Sequence, residues 1–235
     1  MKKIVKISLL LLLILSGCSA KTSSSKAEDA KEAVTQNDST VKLNFSAVGD
    51  NLIHDYIYEH LQQSDGSYRF DEMYEPTRYL NQDRDLAYIN LETICAGEEL
   101  GLSGYPAFNG PTQVLDSLHT AGFNWLSAAS NHTFDRGEDG IVKQLDYLAK
   151  YPDITVTGSQ QSAEVKRLKI KKIKGVKVGL ISYTYGLNGL TLPEGKDYLV
   201  NLIDEDQIKA DLKALNKQSD IQIVSMHWGE EYQFV

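Results

Sequence analysis

Cysteine is nearly absent from the sequence. Only Cys18 and Cys95 occur in 235 residues, which excludes a disulfide-framework miniprotein. Proline is scarce too, and 17 glycines beside 5 prolines rule out a collagen-like chain. Positive charge is in deficit, with 24 basic against 32 acidic side chains and a formal net charge of -8. That balance argues against a general nucleic-acid binder, which needs clustered positive charge to neutralise phosphate. No long apolar run is present. The longest stretch, Ile7 to Leu15, is nine residues broken only by Ser8. As a helix it would rise roughly 13 Å, far short of the ~30 Å of a bilayer core.

What is present starts at the N-terminus. Lys2, Lys3 and Lys6 precede the short apolar run, the order of a secretory leader rather than an anchor. The run ends Leu15-Ser16-Gly17-Cys18, which resembles a bacterial lipobox. Residues 1–17 are therefore expected to be a signal peptide and Cys18 a lipidated residue. Two or three acyl chains would hold the protein stably on the extracytoplasmic face of the cell membrane. Residues 19–40 are rich in Ser, Ala, Lys and Glu and hold no aromatic side chain, so 18–40 reads as a lipidated, flexible tether. With Cys18 blocked, Cys95 has no partner for a disulfide and reads as a small core residue.

From Val41 the pattern alternates. Strands are expected at Val41–Val48, Leu86–Asn90, Phe123–Ala129, Ile154–Thr157 and Ile221–Met226, with a hairpin of Val165–Ile173 and Val176–Thr184 about Lys174-Gly175. Helices are expected at about 55–63, 111–120, 138–150 and 206–215. Strands alternating with helices predict a layered α/β domain over 41–235, and at 42% apolar residues the chain has enough material for a core.

Chemistry collects where the strands end. Asp50 closes the first, with His54 four residues on; Asn90 and Glu92 follow the second; Asn131, His132 and Asp135 follow the third; His227 and Glu231 follow the last. In α/β sheets ligands bind outside the carboxyl ends of strands. Carboxylate, amide and imidazole donors gathered there suit one or two divalent metals such as Mn, Fe, Zn or Mg. Singly, each residue also has a plain structural reading, as a cap, a turn or a packed histidine. The predicted ligand set is Asp50, His54, Glu92, Asn131 and His227, with Asn90, Asp135 and Glu231 behind it.

At these residues a resemblance becomes visible. Ala47-Val48-Gly49-Asp50, Asn90-Leu91-Glu92, Ala129-Ser130-Asn131-His132-Thr133-Phe134-Asp135 and Met226-His227-Trp228-Gly229-Glu230-Glu231-Tyr232 resemble the ordered motifs of the bacterial capsule-synthesis CapA family. That family is similar to calcineurin-like metallophosphoesterases. The resemblance implies a four-layer α/β/β/α sandwich around a two-metal centre. It also implies Asp50, Asn131 and His227 as metal ligands and His132 as general acid toward a leaving oxygen. Two departures stand out: the usual histidine lies two residues after the first Asp, and the usual second motif carries a bridging Asp where this chain has Asn90 and Glu92. The implied final histidine pair is missing as well, and the sequence stops at Val235, so the expectation is a domain incomplete at its C-terminus.

The implied function is a lipid-anchored envelope protein. It would assist synthesis or export of a capsular anionic polymer such as poly-γ-glutamate, beside membrane-bound synthesis and export components. The alternatives are a metal-dependent phosphoesterase and a non-catalytic binding module on the same fold. One further feature is local: residues 166–177 hold seven basic residues and no acid. Lysines on an edge strand discourage edge-to-edge pairing. A polyanion contact through Lys169, Lys171 and Lys172 is the functional alternative.

Overall fold

The structure is a computed structural model that describes residues 40–230 and 233. The chain divides into two units, Met1–Ser39 and Thr40–Val235. The expected leader, Cys18 and all but the last residue of the tether lie outside the described residues, as does Glu231. Among the described residues no helix is long and apolar enough to cross a membrane.

Two sheets form the domain. The first joins β1 (Phe45–Asp50), β2 (Leu86–Asn90), β3 (Trp125–Ser127) and β4 (Thr155–Thr157), all parallel and in chain order. The helices α1 (Asp55–Leu61), α2 (Asp71–Asn81), α3 (Gln113–Thr120) and α4 (Gly137–Leu148) lie in the crossovers between these strands. The second sheet holds β5 (Lys169–Ile173), β6 (Val176–Thr184) and β7 (Ile221–His227). Here β5 and β6 are antiparallel, and β7 returns parallel to β6 through α5 (Glu205–Asn216). The β5–β6 turn puts both Lys174 and Gly175 at positive φ (49° and 91°), the geometry a two-residue hairpin requires.

Side-chain alternation makes the layers. In β2, Ala87 and Ile89 join a helix-side core with Val114, Leu115 and Leu118 of α3 and Tyr74 of α2. Leu86 and Tyr88 point the other way and meet Trp125, Val178 and Leu180 between the sheets. In β6 the outer residues Ile181 and Tyr183 pack on Leu215 and Ile208 of α5. The order is helices, sheet, sheet, helix, the α/β/β/α sandwich that the family resemblance implies. Each fully buried Leu or Val contributes roughly 1.5–3 kcal/mol, so these faces set the register strongly. Polar links also cross the inter-sheet space: Tyr88 Oη pairs with Ser225 Oγ, and Thr157 Oγ1 pairs with Ser182 Oγ while accepting from Trp125 Nε1.

The elements depart from the sequence reading in several places, and β3 and β5 are shorter than the expected Phe123–Ala129 and Val165–Ile173. The first strand starts at Phe45 and runs through Asp50. Helix α2 has no counterpart in the expected elements, because Pro76 sits inside it and it buries only Tyr74 and Asn81. In the basic segment, Lys169 and Lys171 share one face of β5 and Lys172 lies on the other. Lys169 and Lys171 stand opposite Leu180 and Val178 in the β5–β6 ladder and are half-buried, whereas Lys172 is exposed. Lys171 donates to the backbone carbonyls of Asn124 and Asp153. A single basic outer face is therefore not formed.

Candidate metal centre

Four strand ends bring the predicted residues together. In β1 the pairing steps from Val48 opposite Ile89 to Asp50 opposite Asn90, so Gly49 is an extra residue in a bulge. Bulges re-aim the side chain that follows. Asp50 is thereby set beside Asn90, whose Nδ2 donates to Asp50 Oδ1 at 2.7 Å. That bond fixes the Asn90 amide and leaves its buried Oδ1 with no hydrogen-bond partner among the described residues.

His227, at the end of β7, closes the group from the second sheet. Its Nδ1 stands 3.5 Å from Asp50 Oδ1 and 3.3 Å from Asn90 Nδ2. Its Nε2 stands 2.9 Å from Asn131 Oδ1 and 3.9 Å from Glu92 Oε1. The hydrogen bond from His227 holds the Asp50 carboxyl below the usual carboxylate range, with partial burial opposing it and the Asn90 amide adding to it. Glu92, Asn90 and Asn131 are buried, and Asp50 is exposed, so the group opens toward solvent on the Asp50 side.

The loop after β3 is clamped by its own side chains. Ser130 Oγ donates to the Glu92 carbonyl at 3.0 Å and accepts from the His132 amide at 3.1 Å. Thr133 Oγ1 accepts from the Ser130 amide at 2.8 Å. His132 is thus fixed relative to Glu92 by a serine two residues before it. Its Nδ1–H donates to Asp135 Oδ2 at 2.7 Å, and the same oxygen accepts from the Phe108 amide, also at 2.7 Å. With Nδ1 carrying the proton, Nε2 is the ring atom left for proton exchange.

A cleft of about 540 Å³ lies beside this pair, lined by Asn131, His132, Asp135, Asn188, Tyr105 and Leu190 among others.

Not every predicted residue joins. His54 packs edge-on against Phe108 at 4.8 Å between centroids and stacks on Tyr56 at 5.5 Å, with no polar contact to Asp50 among the described residues. Four residues past Asp50, it is already the residue that caps α1. Asn90 is closer to the centre than predicted, since it touches both Asp50 and His227. Asn188, Phe108 and Tyr185 were not expected. Asn188, at φ 51°, accepts from Asn131 Nδ2 at 3.1 Å and packs its amide 3.3 Å from His132 Nδ1. Phe108 meets the His132 ring edge-on, and Tyr185 stacks on His227 at 5.9 Å. Only a Leu-Asn-Gly turn signal marks position 188 in the sequence.

Chemically the set is two carboxylates, two amides and an imidazole. Among the described residues no group of three or more His, Cys, Asp or Glu side chains forms a metal cluster by itself. The amide oxygens of Asn90 and Asn131 would complete the donor set, and the buried Asn90 Oδ1, without a hydrogen-bond partner among the described residues, is an acceptor that a cation would satisfy. The residues fit a divalent metal of the oxygen-preferring or borderline type.

The sequence profile described as bacterial capsule synthesis protein PGA_cap matches residues 44–235. The PGA biosynthesis protein CapA of Bacillus subtilis (strain 168) is 28% identical over 123 residues, covering 49% of this chain and 30% of that protein. The capsule biosynthesis protein CapA of Bacillus anthracis is 26% identical over 125 residues, covering 51% and 30%. The chain thus spans about a third of the length of these relatives. Among solved structures, it is similar to a putative 5'-nucleotidase from Staphylococcus aureus in complex with alpha-ketoglutarate (TM-score 0.47, 20% identity, 80% of this chain and 38% of that one). It is also similar to the NAD nucleotidase of Haemophilus influenzae (TM-score 0.45, 19% identity, 81% and 35%).

Proposed function

The chain belongs to the bacterial capsule synthesis protein PGA_cap family, and from that premise we propose that it assists production or export of an anionic capsular polymer such as poly-γ-glutamate. In this reading Cys18 carries the lipid anchor, and the domain works at the outer face of the membrane beside the synthesis and export components. The observation that supports a chemical part for the domain is the convergence of Asp50, Asn90, Glu92, Asn131 and His227 from two sheets. Asp50, Asn131 and His227 would hold a divalent metal, with Glu92 and the Asn90 carbonyl oxygen beside them. Such a metal, when bound, supplies Lewis-acid polarisation and activates water.

A second reading, metal-dependent hydrolysis of an envelope phosphate ester, draws on the His132–Asp135 pair at the cleft. His132, its Nδ1–H held on Asp135, would turn Nε2 toward a leaving oxygen and deliver a proton from there when the ring is doubly protonated.

One experiment separates the two. A deletion strain is complemented with the wild-type gene, with Asp50→Ala/His227→Ala, or with His132→Ala, and polymer yield is measured. The purified full chain is assayed in parallel on bis-p-nitrophenyl phosphate with Mn²⁺. The capsule reading expects yield to collapse in the double variant; wild-type yield there retires the site. Hydrolysis that His132→Ala abolishes establishes the second reading. A folded, metal-loaded chain without turnover overturns it.

A further inference from the structure

An open groove of about 560 Å³ lies where the edge strands β4 and β5 of the two sheets come side by side, and it shares no lining residue with the cleft beside His132. Its walls are apolar: Leu145 and Leu148 from α4, Ile154 and Val156 from the β4 edge, and Leu168 and Ile170 from the segment entering β5. The size is within the ~300–1,000 Å³ of pockets that bury small ligands.

The charge of this groove runs against that of the chain. Acids outnumber bases by 32 to 24 in the whole sequence, yet no acid lines the groove, and its charged residues are Lys166 and Lys169. Lys169 stands opposite Leu180 in the β5–β6 ladder and is half-buried. Among the described residues no carboxylate pairs with it. Its neighbours are served differently: Lys171 bonds two backbone carbonyls and Lys174 bonds Asp85 at 2.7 Å. Burial alone pushes the Lys169 ammonium pKa down, the sign of a cation without a counter-charge. Ser159, buried in the groove lining, has an Oγ with no hydrogen-bond partner among the described residues.

An apolar trough carrying an uncompensated ammonium and an unmet hydroxyl matches one ligand chemistry. We propose that the groove between β4 and β5 binds a single-chain carboxylate amphiphile of the fatty-acid type. The alkyl chain lies along Leu145, Val156 and Leu168, and the carboxylate pairs with Lys169, with Lys166 as the second cation. A peptide strand added to the β4 edge is the weaker fit, because β4 is only three residues long and offers a short ladder.

The test uses the purified full chain and decanoate below its critical micelle concentration, followed by titration calorimetry. Decanoate is expected to bind saturably at one site. Acetate, which has the head without the chain, and decyltrimethylammonium, which has the chain with the opposite charge, are expected not to. Lys169→Gln should weaken decanoate at least tenfold, Lys169→Arg should hold it within a few-fold, and Lys172→Gln should leave it unchanged. Far-UV circular dichroism checks that each variant is folded. Non-saturable uptake, equal binding of the cationic amphiphile, or decanoate affinity indifferent to a folded Lys169→Gln overturns the proposal.

Discussion

Asp135 shows how much of the site rests on single side chains. One carboxylate oxygen accepts two hydrogen bonds, from the Phe108 amide and from His132 Nδ1, and its side chain is almost wholly buried. It therefore does two things at once. It pins the Phe108 ring against His132, and it decides which imidazole nitrogen carries the proton. Removing one partner of a buried hydrogen bond leaves the other unpaired, at a cost of about 1–3 kcal/mol. Asp135→Ala is expected to lower folding stability by about that amount, read as a fall in the urea midpoint. Asp135→Asn keeps an acceptor oxygen and should lose less. If Asp135→Ala unfolded at the wild-type midpoint, the carboxylate would not be holding this loop. The cysteine at the same scale is inert: Cys95 is fully buried and burial pushes its thiol pKa far up, which suits a packing residue.

At the scale of elements, the site loop depends on how closely β3 and β4 approach. Gly158 follows β4 at φ 101°, and a Cβ there would stand 2.5 Å from Ala129 Cβ and 2.8 Å from the Ala129 amide nitrogen. Ala129 directly precedes the Ser130 clamp, and Gly158 O accepts from the Asn201 amide at 2.8 Å. Gly158→Ala meets both a forbidden backbone conformation and backbone atoms that cannot yield. A loss on the order of 2–4 kcal/mol is expected, measured by urea denaturation. Gly175→Ala, where nothing stands within 4 Å of the added carbon, should lose less despite its φ of 91°. Strand β2 was legible because a buried parallel strand is a short apolar run with chemistry after it, here Leu86–Asn90 followed by Glu92. Helix α2 was not legible. Its proline removes a helical hydrogen bond, and it is held by distant partners instead: Tyr74 Oη donates to Asn51, and Ser117 Oγ to Asp71. The inward facing of Lys169 is hidden for a similar reason. Which side of β5 turns inward is set by its register with β6, and alternation in β5 alone gives no sign of that. Asn188 and Phe108 reach the site through contacts across long sequence separations, and no motif of their own announces them.

Across the whole molecule, the candidate centre is a junction between the two sheets. Asp50 and Asn90 end strands of the first sheet and Asn131 follows its third strand, while His227 ends a strand of the second. A cation held by this set would join the sheets at their carboxyl ends, where His227 already touches Asp50, Asn90, Glu92 and Asn131. Unfolding separates the sheets and scatters the donors, so a metal held by this set would bind the folded chain alone and stabilise it by mass action. At a free metal concentration of 100 times Kd that gain is about 2.7 kcal/mol. For a domain of this size, each kcal/mol moves Tm by ~2–4 °C, so saturating Mn²⁺ should raise Tm by roughly 5–10 °C, and EDTA should reverse it. Asp50→Ala should abolish the rise although Asp50 is exposed, because its carboxylate adds donor charge to the set rather than packing to the core. The Lys172→Gln variant, distant in the chain from every donor, should retain the full rise. A Tm indifferent to Mn²⁺, Fe²⁺, Zn²⁺ and Mg²⁺ in the wild-type chain would show that the two carboxylates, two amides and imidazole are a hydrogen-bonded junction in their own right, with His227 as its bridge.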